Sequence, residues 1–309
     1  MMTATTEGGP ALLFARTKVN RDDQRIFVAK LVALAVLTSV GTVLALRPEP
    51  PLIVFGVVIL AAAYTHAVEL QHQCLHHSAF RGSWPHRLTG VPLGIPLFVV
   101  YSHYRLRHLQ HHRHLGTPQD TEFFGFDTRT PLTVSHLVRG LFDYRRLGTV
   151  LWEVALAATG RWTYGFGPVS PTMRRRIVVD HLVMGGAVLV ALCVTVAGYG
   201  EYPLRLWVLP LLLAVPMHFL VELPEHILCD TESTDVLRNT RSIRGSRLST
   251  WFTNGNNLHI EHHAAMSVPI NRLPRRHEET RLHAVHVERT YLDFYRTLWA
   301  ALRRREGKA

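Results

Sequence analysis

Twenty of the 309 residues are histidine, and they are not scattered. His72 and His76 form a His-x-x-x-His pair. His108, His111 and His112 form His-x-x-His-His, and His259, His262 and His263 repeat it. Residues three and four apart share a helix face, so each set directs two or three imidazoles to one place. Neutral imidazole suits iron, zinc and copper. His226, in Glu222-Leu223-Pro224-Glu225-His226, adds a ninth candidate ligand. Nine exceed the four of a tetrahedral zinc site. They suit two metals of higher coordination number with positions left for water or oxygen. One His-x-x-His-His arises by chance; two copies plus a spaced pair point to a metal site.

The elements that position these ligands follow from the apolar runs. Stretches 28–46, 51–70, 177–198 and 204–223 are each close to the ~20 residues that cross a bilayer core of about 30 Å. Short Pro- or Gly-containing turns join the first to the second and the third to the fourth. Buried core helices of a soluble protein rarely come as two such pairs. A signal peptide does not fit either, because the first run starts late and no small-residue cleavage site follows it. The expected fold is an all-α membrane protein: four transmembrane helices in two hairpins, with a helical cytoplasmic cap (71–176 and 224–302) carrying the histidine motifs. Residues 1–20 read as a disordered start, 21–302 as a single domain and 303–309 as a basic tail.

Charge gives the orientation. Lys and Arg outnumber Asp and Glu by 34 to 23, a net charge of +11. They concentrate in the N-terminal segment, the middle segment and the C-terminal segment, with Arg174, Arg175 and Arg176 abutting the third span. The short turns carry only Arg47 and Arg205. The positive-inside rule puts the basic segments in the cytoplasm, and every histidine motif with them. This accounts for the basic balance without nucleic acid and suits anionic headgroups or an acidic protein partner. Hydrophobic residues at 47% and charged ones at 18% exclude general disorder, and three cysteines exclude a disulfide framework. The shorter apolar stretches 88–101 and 149–159 read as re-entrant or interfacial.

Other polar residues sit beside the motifs. His218, Glu222 and His226 share a helical face, so His218 and Glu222 are candidates to support ligands or a bound water. Asn257 precedes the third motif by two residues, and His77 and His114 adjoin the first and second. Asp120 and Glu122 could orient imidazoles. Asp180-His181 and the pair His66 and Glu69 are ionisable groups at membrane depth, which usually act or are paired. Cys74 and Cys229 read as small packing residues. His86, His103, His136, His283 and His286 lack a motif and default to surface.

With these residues in hand, the sequence resembles the integral-membrane fatty acid desaturase superfamily of bacterial type, which also contains acyl and carotenoid hydroxylases and ketolases. The resemblance covers roughly 50–280. Its first box is matched by His72, His76, Ala79 and Phe80, its second by His108, His111 and His112, and its third by His259, His262 and His263. Glu225-His226, Asn239-Thr240-Arg241, Arg272-Leu273-Pro274 and His277 match bacterial members further. Two departures stand out: Gln73 where aspartate is common, and Ala264-Ala265-Met266-Ser267-Val268-Pro269 where Leu-Phe-Pro or Leu-Tyr-Pro often follows.

The resemblance implies two iron ions held by nine histidines, with O2 as co-substrate and no catalytic residue beyond the metal site. Removing two hydrogens from a fatty acyl chain gives a double bond and water; oxygen insertion into a carotenoid or another hydrophobic natural product is the alternative. No Gly-rich dinucleotide fingerprint and no haem or iron–sulfur motif occurs in the sequence. Electrons are therefore expected from an external ferredoxin, rubredoxin or cytochrome with its reductase. The implied setting is the bacterial inner membrane, with membrane lipid around the spans and an acyl or lipid substrate. Two rivals stand further off. A metal transporter would need ionisable residues lining a path through the spans. A membrane zinc hydrolase would need fewer histidines and a carboxylate base, which only Glu261 imitates.

Overall fold

A computed structural model describes residues 12–121 and 126–306. The protein is helical, with four helical stretches long and apolar enough to cross a membrane: Arg21–Ala45, Pro50–Leu75, Pro171–Tyr199 and Glu201–Glu225. Helices α1 (Arg21–Ala45) and α2 (Pro50–Leu75) form the first hairpin. Asn20 and Asp23 cap α1 reciprocally, and Pro50 and Pro51 start α2 where a missing N–H costs nothing. The two helices approach closely at Gly56, where a Cβ would collide with the backbone of Ala45.

Helix α2 runs five residues past the expected end of its span. The extra turn, Gln71-His72-Gln73-Cys74-Leu75, is polar enough to leave the apolar layer yet remains buried against the cap. Gln71 is the reason the chain can turn back after α3 (Trp84–Gly94): its Nε2 donates to the carbonyls of Gly90 at 2.8 Å and Val99 at 3.2 Å. The reversal passes Phe98 in the left-handed region (φ 57°) and delivers the chain into α4 (Tyr101–His114). The short apolar stretch 88–101 is thus half of α3, a 3₁₀ turn and a tight reversal. Stretch 149–159 lies mostly within α6 (Arg145–Ala158), which follows α5 (Val134–Leu141) and packs on α7 (Pro171–Val194).

The second hairpin turns at Gly198 (φ 92°), where the backbone leaves the helical conformation, and continues through α8 (Glu201–Pro203) to α9 (Leu209–Glu222). Large apolar side chains stand outward along these stretches, with Val43 60%, Phe55 59% and Val190 64% exposed. An apolar belt of that extent is the surface of a protein solvated by lipid. The protein is an integral membrane protein.

The rest of the cap consists of α10 (Val236–Asn239), α11 (Arg247–Phe252), α12 (His259–Ala264), α13 (Pro274–His283) and α14 (Tyr291–Glu306). A parallel two-residue pairing joins β1 (Ser242–Ile243) to β2 (Val287–Glu288), and Ser242 also bridges Leu258. This ribbon ties the third histidine motif to the C-terminal segment. Phe294, Leu298 and Leu302 of α14 bury against Phe219 and Leu223 at the end of α9.

Of residues 1–20, expected to be disordered, 12–20 are described, and most of them are exposed. Leu13 is fully buried, and Arg276 Nη1 donates to its carbonyl at 2.6 Å. Residues 1–11 lie outside the described chain. At the other end, α14 continues through Glu306, into the expected basic tail.

Candidate metal centre

Three helices and one 3₁₀ turn bring the nine histidines together. His72 lies in the last turn of α2 and His76 caps it; α4 carries His108, His111 and His112; α12 carries His259, His262 and His263. His226 follows the short 3₁₀ turn Leu223–Glu225, so it leaves the axis of α9 and swings toward α4. The nine separate into two groups, each with one nitrogen per ring within 4.8 Å of the others: His72, His76, His108, His112 and His262; and His111, His226, His259 and His263.

The division corrects one expectation. The triplets do not converge on single points; each splits two and one. His108 and His112, at i and i+4, join the first group, while His111, at i+3, joins the second. In α12 the roles reverse: His259 and His263 serve the second group and His262 the first. A hundred degrees per residue separates the i+3 ring from the line of the i, i+4 pair. Helices α4 and α12 therefore each contribute to both groups and hold them side by side, whereas α2 serves the first alone.

Within the groups, Nε2 atoms face Nε2 atoms. His72 and His108 are 2.7 Å apart, His108 and His112 3.0 Å, and His112 and His262 3.1 Å. In the second group His226 and His263 stand 3.2 and 3.1 Å from His259. The far nitrogens explain this arrangement. His226 Nδ1–H donates to the Asn239 carbonyl at 3.1 Å, which leaves its Nε2 bare in the neutral ring. Asn256 donates through Nδ2 to Glu225 at 2.7 Å, so its amide oxygen faces His259 Nδ1, 3.2 Å away, and accepts there. Two bare Nε2 lone pairs then confront each other across 3.2 Å, which a cation between them resolves. Burial, and then the charge of the neighbouring rings, hold His76, His112, His259 and His263 well below the usual histidine range. These rings stay neutral at physiological pH, as metal ligation requires. The donor set fits two metal ions.

The supporting residues were only partly legible in the sequence. Asp120 Oδ1 lies 2.8 Å from His111 Nδ1 and orients that ring; Glu122 lies outside the described residues. Asn256, not Asn257, faces a ligand. The Asn257 amide donates to the Ile243 carbonyl at 2.7 Å and accepts from Thr253, holding the loop. His77, in the left-handed region, stacks on His86 with ring centroids 4.6 Å apart; His86 is buried, whereas His77 stays exposed. His136 stacks on Phe126. His114 gives its carbonyl to Thr117. His218 and Glu222 pair at 3.2 Å and meet Glu69 in a separate group. His66 is held by the Phe252 carbonyl and stacked on Trp251. Cys74 packs in the core between α1 and α2, as expected. Glu261, the one imitation of a hydrolase base, has both oxygens engaged, by His277 Nδ1 at 2.6 Å and Ser242 Oγ at 2.5 Å.

The family profile for fatty acid desaturases matches residues 48–294. The chain belongs to the fatty acid desaturase family. The matched region contains all nine histidines of the two groups. Among curated relatives, the sn-1 oleoyl-lipid 12-desaturase of Arthrospira platensis is 21% identical over 226 residues, 69% of this chain and 63% of that one. This desaturase-family chain thus spans less than two thirds of that relative's length.

Asp120→Asn is expected to lower metal affinity by roughly 10–100-fold, because loss of an orienting partner frees the ring and reduces its basicity. Equilibrium dialysis against Fe2+ checks it; affinity equal to wild type would show that Asp120 merely solvates its loop.

Proposed function

We propose that this protein is an O2-dependent oxidoreductase that holds two irons on nine histidines and introduces a double bond into a fatty acyl chain. The arrangement of His72, His76, His108, His112 and His262 beside His111, His226, His259 and His263 carries this reading. Family membership and the name of the Arthrospira relative support an acyl-lipid substrate. The bound irons would supply the O2 activation needed to break an unactivated C–H bond.

The chain's own residues position and enclose. Asp120, Asn239 and Asn256 fix the rings through their far nitrogens, so that Nε2 remains the donor. Tyr104 packs against the rings of His72 and His108 and forms part of a cavity of about 170 Å3. Val68, Phe98, Val99 and Val150 give that cavity an apolar side, suited to a methylene chain. An acyl chain lying there passes Tyr104 on its way to the metal groups, with bulk water displaced by the valines. Where the chain lies relative to the two imidazole groups would then select which carbon is oxidised.

Electrons come from an external ferredoxin, rubredoxin or cytochrome with its reductase. The membrane is the bacterial inner membrane, with the boxes and basic segments in the cytoplasm. Expression in a bacterial host, followed by lipid mass spectrometry, tests the activity. A fatty acyl species lighter by two hydrogens, absent with the His262→Ala variant, is the expected result. A product heavier by one oxygen would replace desaturation by hydroxylation, and an unchanged lipid profile in a host supplied with a donor would count against acyl chemistry.

Docking of an acidic donor on the basic face makes turnover salt-sensitive. Raising ionic strength from about 0.05 to about 0.3 M shortens the screening length and slows electrostatically steered encounter. The expected outcome is a several-fold fall in rate with the protein donor and little change with a small uncharged reductant. Equal responses to salt would remove the docking argument.

A further inference from the structure

Two histidines and a carboxylate meet outside the nine-histidine centre. His103 of α4, Glu153 of α6 and His181 of α7 each present one donor atom, all within 4.8 Å of one another. Glu153 Oε2 is 3.3 Å from His103 Nδ1 and 3.1 Å from His181 Nε2. Ligands about 2.0–2.2 Å from a zinc-sized ion stand about 2.9–3.5 Å from each other, and both separations fall in that interval.

Hydrogen-bond accounting points the same way. His181 Nδ1–H donates to the Ile177 carbonyl at 2.9 Å, since a carbonyl only accepts. In the neutral ring Nε2 is then a bare lone pair, aimed at a carboxylate oxygen that is also only an acceptor. Either a metal ion between them or a second proton on the ring must answer these two facing lone pairs. His103 Nδ1 faces the same Glu153 oxygen. The neighbouring Asp180 does not compete for that charge: Arg87 pairs with it and the Ser102 amide donates to it.

The geometry points to a third metal site at His103, Glu153 and His181, taking a divalent first-row transition ion and leaving a coordination position open. His181 is fully buried, whereas His103 and Glu153 keep 14% and 21% exposure and face the cavity beside Tyr104. Two histidines and one carboxylate with open positions form a recognised ligand set for such ions. The site shares no ligand with the two imidazole groups and ties α4, α6 and α7 together at the cavity wall.

The test uses the full-length, detergent-solubilised protein, stripped with chelator, reloaded with Zn2+ and desalted. Elemental mass spectrometry then counts zinc per chain. Glu153→Gln, which preserves the shape but removes the anionic charge, is expected to hold one ion fewer than wild type. That difference is read whatever the boxes retain, so failure of the di-iron reading and failure of this one are distinguishable. Equal zinc in both proteins overturns the site. If Glu153→Gln does not fold, anomalous diffraction from Zn2+-loaded wild-type crystals decides. A peak within about 2.2 Å of His103 Nδ1, Glu153 Oε2 and His181 Nε2 supports the site. Its absence means that a protonated His181 supplies the charge, and the proposal fails.

Discussion

His262→Ala and His263→Ala, one residue apart in sequence, are each expected to abolish turnover and to do so by depleting different ions. His262 faces His112 in the first group and His263 faces His259 in the second. On the proposed di-iron reading, each ion contributes several kcal/mol of transition-state stabilisation, so losing either costs about 10³-fold or more in rate. The metal content differs between the two. The first group retains four imidazoles after His262→Ala, whereas the second retains three after His263→Ala. Iron per chain therefore falls further in His263→Ala. His111→Ala is expected to resemble His263→Ala, and His112→Ala to resemble His262→Ala, although the motif alone would pair them differently. His114→Ala, adjoining the same motif, is the control and retains near wild-type metal. Elemental analysis beside lipid profiling reads both quantities. Full iron content and normal turnover in His263→Ala would remove the second group from the chemistry.

That pairing shows what spacing along a chain does and does not convey. The i, i+4 and i+3 intervals placed the rings on helix faces. The four span-length runs followed from composition alone. Where each ring goes is set by how α4 and α12 are rotated against α2, and no interval within one motif encodes that rotation. The same limit hid His103, Glu153 and His181, which lie far apart in sequence on three helices and form no motif. Asn256 and Asn257 were indistinguishable beforehand because both precede the third box; only the backbone path through β1 turns one toward His259 and the other toward Ile243. The extension of α2 past its apolar run was hidden by polarity. Hydropathy marks where a helix leaves lipid, while the cap buries the next turn and keeps it helical.

Glu261→Ala is expected to destabilise the cap more than any other single change outside the imidazole groups. The carboxylate is fully buried at the centre of α12. One oxygen holds His277 of α13 and the other holds Ser242 of β1, whose hydroxyl oxygen also accepts from the Ile260 amide at 3.0 Å. One side chain thus joins the third histidine motif to two further elements of the cap. Alanine leaves His277 and Ser242 without these partners in a dry site, and each buried group left unsatisfied costs about 1–3 kcal/mol. At roughly 2–4 °C per kcal/mol for a chain of this order of size, the melting temperature falls by roughly 10 °C. Glu261→Gln keeps an oxygen for one partner and should lose less. Differential scanning fluorimetry of wild type and both variants reads the order. Metal affinity should fall with stability, because α12 supplies a ring to the first group and two to the second. If Glu261→Ala melted as wild type while losing metal, the carboxylate would be acting on the ions directly, and its place as an anchor of the cap would have to be given up.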